Sequence, residues 1–118
     1  MDRSRQTGPA LEKTYQFLNW LVPTVEKFPR SQKFLLGDRI QTAALDVLDG
    51  LIEATYTKSR ERKLEGANVN IEGLKFLLRL STDLHYLDRR RYEHAARELD
   101  EIGRSIGSWR KANRAVQA

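Results

Sequence analysis

Apolar residues recur at steps of three and four along most of this chain, in four runs separated by short polar breaks. That period belongs to helices. The first run, Leu11, Tyr15, Leu18, Leu21/Val22 and Val25, predicts a helix from just after Gly8-Pro9 to about Phe28. Pro23 lies inside it and should kink it, at a cost of about 3 kcal/mol if the lost backbone bond is not relieved. Pro29 pushes Phe28 away from helical angles and so marks the stop. Ser31 is placed to cap the next helix, which starts at Ser31 or Phe34 and runs to Tyr56 on Leu36, Ile40, Ala44, Val47/Leu48, Leu51 and Ile52. A third stripe, Leu64, Ala67, Ile71, Leu74 and Leu78, predicts a helix from about Lys58 to Leu87. Gly66 and Gly73 weaken it by up to about 1 kcal/mol each relative to alanine, or mark close helix contact. The boundary near Thr57–Ser59 holds no Gly or Pro, so one long bent helix is the alternative there. Asp88 is a good N-cap for a fourth helix reaching about Ala112, with Tyr92, Ala95/Ala96, Leu99, Ile102, Ile106 and Trp109 on its stripe.

Sustained two-residue alternation and hairpin turns are missing, so strands are not expected. The fold class that follows is all-α: an antiparallel up-down-up-down four-helix bundle over residues 10–112. Residues 1–9 are expected to be flexible, and 113–118 to fray. At 118 residues the chain is one domain with a real core. A leader-like hydrophobic stretch is not evident at the start, and no apolar run nears the roughly 18 residues of a membrane span. A cytoplasmic protein without a membrane partner is the expectation.

Charge changes the picture more than composition does. Lys and Arg number 21 against 16 acids, a net charge of +5, which favours an acidic partner and nucleic acid first. The bases are uneven: nine fall between Lys58 and Arg91 against five acids, whereas Gln41 to Thr57 holds three acids and no base. Lys75 and Arg79 share a helix face, and Arg89-Arg90-Arg91 crowd one corner. With Arg104 they are the candidates for nucleic-acid or polymerase contact; Lys58, Arg60, Arg62 and Lys63 are the second choice. Such clusters hold phosphates through charge-assisted bonds that weaken with salt. The competing reading is a solvated face with helix-end cations favoured by the macrodipole. Asp46, Asp49 and Glu53 could equally receive bases from a neighbouring subunit.

A catalytic site is hard to assemble. There is no cysteine. His85 and His94 could approach across the third turn, but zinc needs a further strong ligand from Asp83, Asp88 or Glu93. The Glu-x-x-His pair of di-iron bundles is missing. Gly37-Asp38-Arg39 and Gly103-Arg104-Ser105 lack phosphate-loop spacing and its lysine. Neither a cofactor nor a metal is expected. The aromatic residues mostly fall on or beside the apolar stripes and read as core. The first and third helices are nonetheless apolar over a wide arc (Phe17, Leu18, Trp20, Leu21, Val22; Phe76, Leu77, Leu78, Leu80). That surplus points to self-association, against the plainer reading of one broad face plus scattered exposed leucines.

One stretch is more particular than a generic bundle needs: Trp20-Leu21-Val22-Pro23-x-x-Glu26-Lys27-Phe28-Pro29-Arg30-Ser31-Gln32-Lys33-Phe34-x-x-Gly37-Asp38-Arg39-Ile40. It resembles the signature of Avd, the accessory variability determinant of diversity-generating retroelements. A second block agrees, Tyr92-Glu93-His94-Ala95-Ala96-Arg97-Glu98-Leu99-Asp100-Glu101-Ile102-Gly103-Arg104 with Gly107 and Trp109 beyond. The likeness spans about residues 10 to 112. A related family, the four-helix proteins encoded in ribosomal RNA intervening sequences, shares the bundle and a Phe-Pro turn. The Arg-Ser-Gln-x-Phe and Gly-Asp-Arg-Ile elements favour Avd. The resemblance implies a four-helix bundle, a ring-shaped homopentamer with a basic surface, and a non-enzymatic role. The implied partners are the element's reverse transcriptase and its template RNA, or DNA. The alternative is an intervening-sequence scaffold that assembles without a polymerase. Phe28, Pro29, Arg30, Ser31, Gly37, Asp38 and Arg39 match the turn motif, read as fixing the helix corner, with Asp38 and Arg39 as a candidate ion pair.

Overall fold

The computed structural model describes residues 9–117, and within them every regular element is helical. Helix α1 is Ala10–Val25, α2 is Asp38–Tyr56, α3 is Arg60–Asp83 and α4 is Arg89–Gln117. A single α-helical turn, Arg30–Gln32, and a π-helical turn, Lys33–Gly37, lead straight into α2. Helix α1 packs on α2 and α4, α2 packs on α3, and α3 packs on α4. This closed set of neighbours is a four-helix bundle, 48 × 24 × 21 Å. Its core is built from the predicted stripes: Leu18, Leu21 and Val25; Ile40, Ala44, Val47 and Leu51; Leu64, Ala67, Ile71, Leu74 and Leu78; Ala95, Leu99, Ile102, Ile106 and Trp109. Tyr15 and Ile52, also expected on stripes, are exposed.

The corner between α1 and α2 departs from the expected capping. Helix α1 passes through Pro23 but ends two residues later, at Val25, earlier than Phe28. A tight turn closes it, with the Lys27 and Phe28 amides donating to the Thr24 and Val25 carbonyls at 3.2 and 2.9 Å. Ser31 is not the cap. Pro29 takes that place: its φ of −52° and ψ of 141° are extended, and its carbonyl accepts the Gln32 and Lys33 amides, each at 2.9 Å. Proline is pre-set for this φ, so the helix starts at Arg30, two residues sooner than a Ser31 cap allows. The π turn then directs Leu36 and Gly37 inward and leaves Phe34 and Leu35 exposed, at 68% and 67% of their surface. Gly37 meets α1 directly; a Cβ there would lie 2.7 Å from Val25 Cγ1.

The break between α2 and α3 is a true break, not a bend. Thr57 is extended at φ −119°, ψ 154°, and its hydroxyl accepts the Ser59 amide at 3.3 Å. Arg60 caps the end of α2, its Nε donating to the Ala54 carbonyl at 2.7 Å. Helix α3 stops at Asp83, short of Leu87, because His85 turns left-handed at φ 67°. The Tyr86 amide then donates to the Ser81 carbonyl at 2.8 Å and His85 to Thr82 at 3.0 Å, the paired bonds of a Schellman cap. At the far end α4 continues through Gln117, past the expected helix end near Ala112. Arg110 and Arg114 both clamp Glu61 of α3, at 2.7 and 3.1 Å, and Asn113 is buried. The expected flexible segment 1–9 lies, except for Pro9, outside the described residues; the Pro9 carbonyl accepts the Lys13 amide and opens α1.

Candidate nucleic-acid interface

The α3–α4 connection sets the geometry of the arginine cluster. Asp88 caps α4, its Oδ1 accepting the Arg91 amide at 2.8 Å while Oδ2 pairs with the Arg91 guanidinium. The Arg91 amide first, and the Arg91 and Arg90 guanidiniums after it, hold the Asp88 carboxyl below its ordinary range. Arg89, Arg90 and Arg91 thus fill the first turn of α4, which holds no acid. There the positive end of the helix dipole opposes them, by about 0.3–1 kcal/mol per exposed charge. The plain reading, helix-end cations favoured by the macrodipole, does not describe this end of the molecule.

The cluster opens on two faces. On one, Arg89 joins Arg79 from α3 around a depression of about 290 Å³, with Tyr92, Asp83 and Glu93 beside them. On the other, Arg90, Arg91 and Arg97 line a depression of about 440 Å³ with His94 and with Trp20 of α1. The Trp20 and His94 rings lie 4.7 Å apart. A third hollow, about 280 Å³, shares Asp88 and Arg91 with the second and extends it to Lys27, His85 and Tyr86. Among the described residues, the side chains of Arg79, Arg89, Arg90, Arg97 and Arg104 form no hydrogen bond or ion pair; Arg90 feels Asp88 only at longer range.

The structure therefore gathers Arg79, Arg89, Arg90 and Arg91 at one end. It sets Lys75 and Arg104 apart. Lys75 Nζ sits 2.9 Å from Asp100 of α4 and 3.5 Å from Glu72. The Asp100 bond foremost holds its ammonium above the ordinary range, so Lys75 clasps α3 to α4. Arg104 is exposed but about 20 Å along α4 from the arginine triplet, at 1.5 Å per residue. The second-choice bases are partly committed as well: Arg60 caps α2, and Lys63 meets Glu53 at 2.7 Å.

Of the turn motif, Phe28 is buried with its ring 6.2 Å from Tyr86, which ties the α1–α2 corner to the cationic loop. Arg30 and Ser31 are exposed, and Arg39 edges a separate apolar groove. Asp38 and Arg39 form no ion pair among the described residues, since neighbours on a helix diverge by about 100°. Asp38 instead lies exposed where the π turn passes into α2. That apolar groove, about 630 Å³ between α2 and α3, is lined by Val69, Phe76 and Leu80 with Gly73 among them. Phe34, Phe76 and Tyr56 are exposed, unlike most of the aromatic residues read as core.

Trp20, Lys27, His94 and Arg97 also border the hollows beside the arginines, although none of them was expected as a nucleic-acid contact. Arg90, His94 and Arg97 step by four and three, so their common face was readable on one helix. Trp20 and Lys27 reach it only through tertiary packing. Among the described residues no group of three or more His, Cys, Asp or Glu side chains is placed to hold a metal ion, and no helix is long and apolar enough to cross a membrane.

Fold and surface together define a class: a four-helix protein with arginines concentrated at one end, where, among the described residues, Arg91 alone of Arg79 and Arg89–Arg91 has a carboxylate partner. Within that class the chain belongs to the bAvd-like family, whose sequence profile matches residues 10–113. A search of curated proteins gave no match.

Proposed function

We infer that this chain is a non-enzymatic accessory protein of a diversity-generating retroelement. It binds the element's reverse transcriptase and template RNA and supports mutagenic cDNA synthesis and retrohoming. Membership of the bAvd-like family supports the accessory role. The observation that carries nucleic-acid contact is the first turn of α4, where Arg89 and Arg90 stand without carboxylate partners against the helix dipole. Phosphates would supply the missing counter-charge. In this reading the helices run antiparallel, and the exposed Val69, Phe76 and Leu80 are covered by other copies of the chain in a closed homopentamer acting in the cytoplasm.

Filter binding to the template RNA over a range of salt concentrations tests the RNA half. Arg79→Ala combined with Arg90→Ala removes one guanidinium from each face. Binding should weaken, and the slope of log K against log salt should fall by about 1.4 if both arginines contact single-stranded phosphates, at about 0.7 per contact. Unchanged affinity and slope would place the RNA elsewhere.

A further inference from the structure

The geometry points to the α1–α4 seam as a groove for an unpaired stretch of RNA, in which bases stack against Trp20 and His94 while Arg90, Arg97 and Lys27 hold the flanking phosphates. This deepens the RNA-binding reading above and rests on it. The observation is a juxtaposition of two kinds of side chain. An indole from α1 and an imidazole from α4 lie 4.7 Å apart in a hollow of about 440 Å³ that three guanidiniums also line. The adjoining hollow continues past Asp88 and Arg91 to Lys27 and the Tyr86 ring. Along the two hollows four cations face one capping carboxylate, and Glu98 approaches the outer edge at 3.6 Å from His94 Nε2.

That pattern suits single strands better than a duplex or a protein partner. Aromatic faces interleaved with cations are how proteins take up unpaired nucleic acid, because stacking accepts any base. A duplex presents phosphates but keeps its bases stacked inside, so it would use the arginines and leave the rings idle. An acidic protein surface would likewise use the charges only. Trp20 is also only partly buried, whereas Trp109, at 9% exposure, belongs to the core. The indole in the groove is thus the one that a ligand can reach.

The test compares a short unstructured oligoribonucleotide with a duplex RNA of equal length, read by anisotropy and by tryptophan fluorescence. The expected result is tighter binding of the single strand, with tryptophan quenching that disappears in both Trp20→Phe and Trp20→Leu, while Trp20→Phe keeps part of the affinity and Trp20→Leu loses it. Arg90→Ala with Arg97→Ala should weaken the single strand at least tenfold. Both arginines are exposed and unpaired, so this pair leaves the fold intact, as circular dichroism will check. Arg79→Ala with Arg89→Ala, on the other face, should weaken the single strand by a smaller factor than the Arg90/Arg97 pair does. If the second pair removes single-strand binding and the first does not, the groove is wrong and RNA binding stands. Equal affinity for the duplex without quenching also overturns the groove, as does loss of reverse transcriptase capture alone in the Arg90/Arg97 variant. A wild-type chain that binds neither RNA overturns the groove and the RNA-binding reading together.

Discussion

Replacing Gly37 by alanine adds one carbon at the closest approach of α1 to the start of α2. That carbon would lie 2.7 Å from Val25 Cγ1, about 1 Å inside normal carbon contact. Val25 is fully buried and β-branched, so it has little rotamer freedom with which to yield. Overpacking of this kind costs about 1–3 kcal/mol. Against it stands helix propensity: Gly37 has φ −60° and ψ −42°, so alanine gains about 1 kcal/mol there. The net result is a change between zero and about 2 kcal/mol of destabilisation. Gly66, inside α3, isolates the contact term, because nothing lies within 4 Å of its added Cβ and alanine there keeps the full gain. The two variants should thus differ by about 1–3 kcal/mol in urea unfolding. In melting temperature that is about 4–12 °C, at about 4 °C per kcal/mol for a domain of this size. Adding Val25→Ala to Gly37→Ala should remove most of the excess cost beyond that of Val25→Ala alone. If Gly37→Ala stabilises the protein as much as Gly66→Ala does, Gly37 is not the spacer of this corner, and the turn motif needs another explanation.

Three further outcomes follow from particular contacts. His85→Gly should raise stability by about 1 kcal/mol, because the left-handed backbone at φ 67° strains a residue that carries a Cβ, partly offset by glycine's unfolded-state entropy; thermal melts that show a loss would contradict the cap. Glu61 is held below its ordinary pKa of 4.5, foremost by Arg110 and also by Arg114. A depressed carboxylate contributes stability above its unfolded pKa and loses it as pH falls through the lower folded value. Melting temperature should therefore drop below about pH 4.5, and drop less steeply for Glu61→Gln; equal slopes would refute the clamp. Val69→Ser with Phe76→Ser, both on exposed positions of the α2–α3 groove, should leave the helices intact but reduce the assembly mass seen by light scattering, whereas an unchanged oligomer would place the subunit contact elsewhere.

The stripes were legible because each buried residue sits at helical spacing from the next, and a bundle needs nothing more to bury them. Helix ends were less so. The Ser31 cap failed because Pro29 already offers extended angles and a free carbonyl, a choice that capping preferences alone rank lower. The α3 stop depended on a histidine in a conformation usually left to glycine, which no residue type near His85 announces. The persistence of α4 past Ala112 depends on Glu61, forty-nine residues before Arg110, and sequence spacing carries no such signal. Charge clustering drew attention to Arg79 and Arg89–Arg91. It could not tell that Lys75 is occupied by Asp100, or that Trp20 of α1 and Lys27 of the turn after it border the hollows beside the arginines.

The proposed function requires this bundle to hold a polymerase and its transcript together. Affinity purification of the tagged chain from cells that co-express the element's reverse transcriptase and template RNA tests it most directly. Polymerase and RNA should elute with the chain, and the Arg79/Arg90 variant should release RNA at lower salt. Elution of the chain without polymerase, under low salt and with both partners expressed, would contradict it.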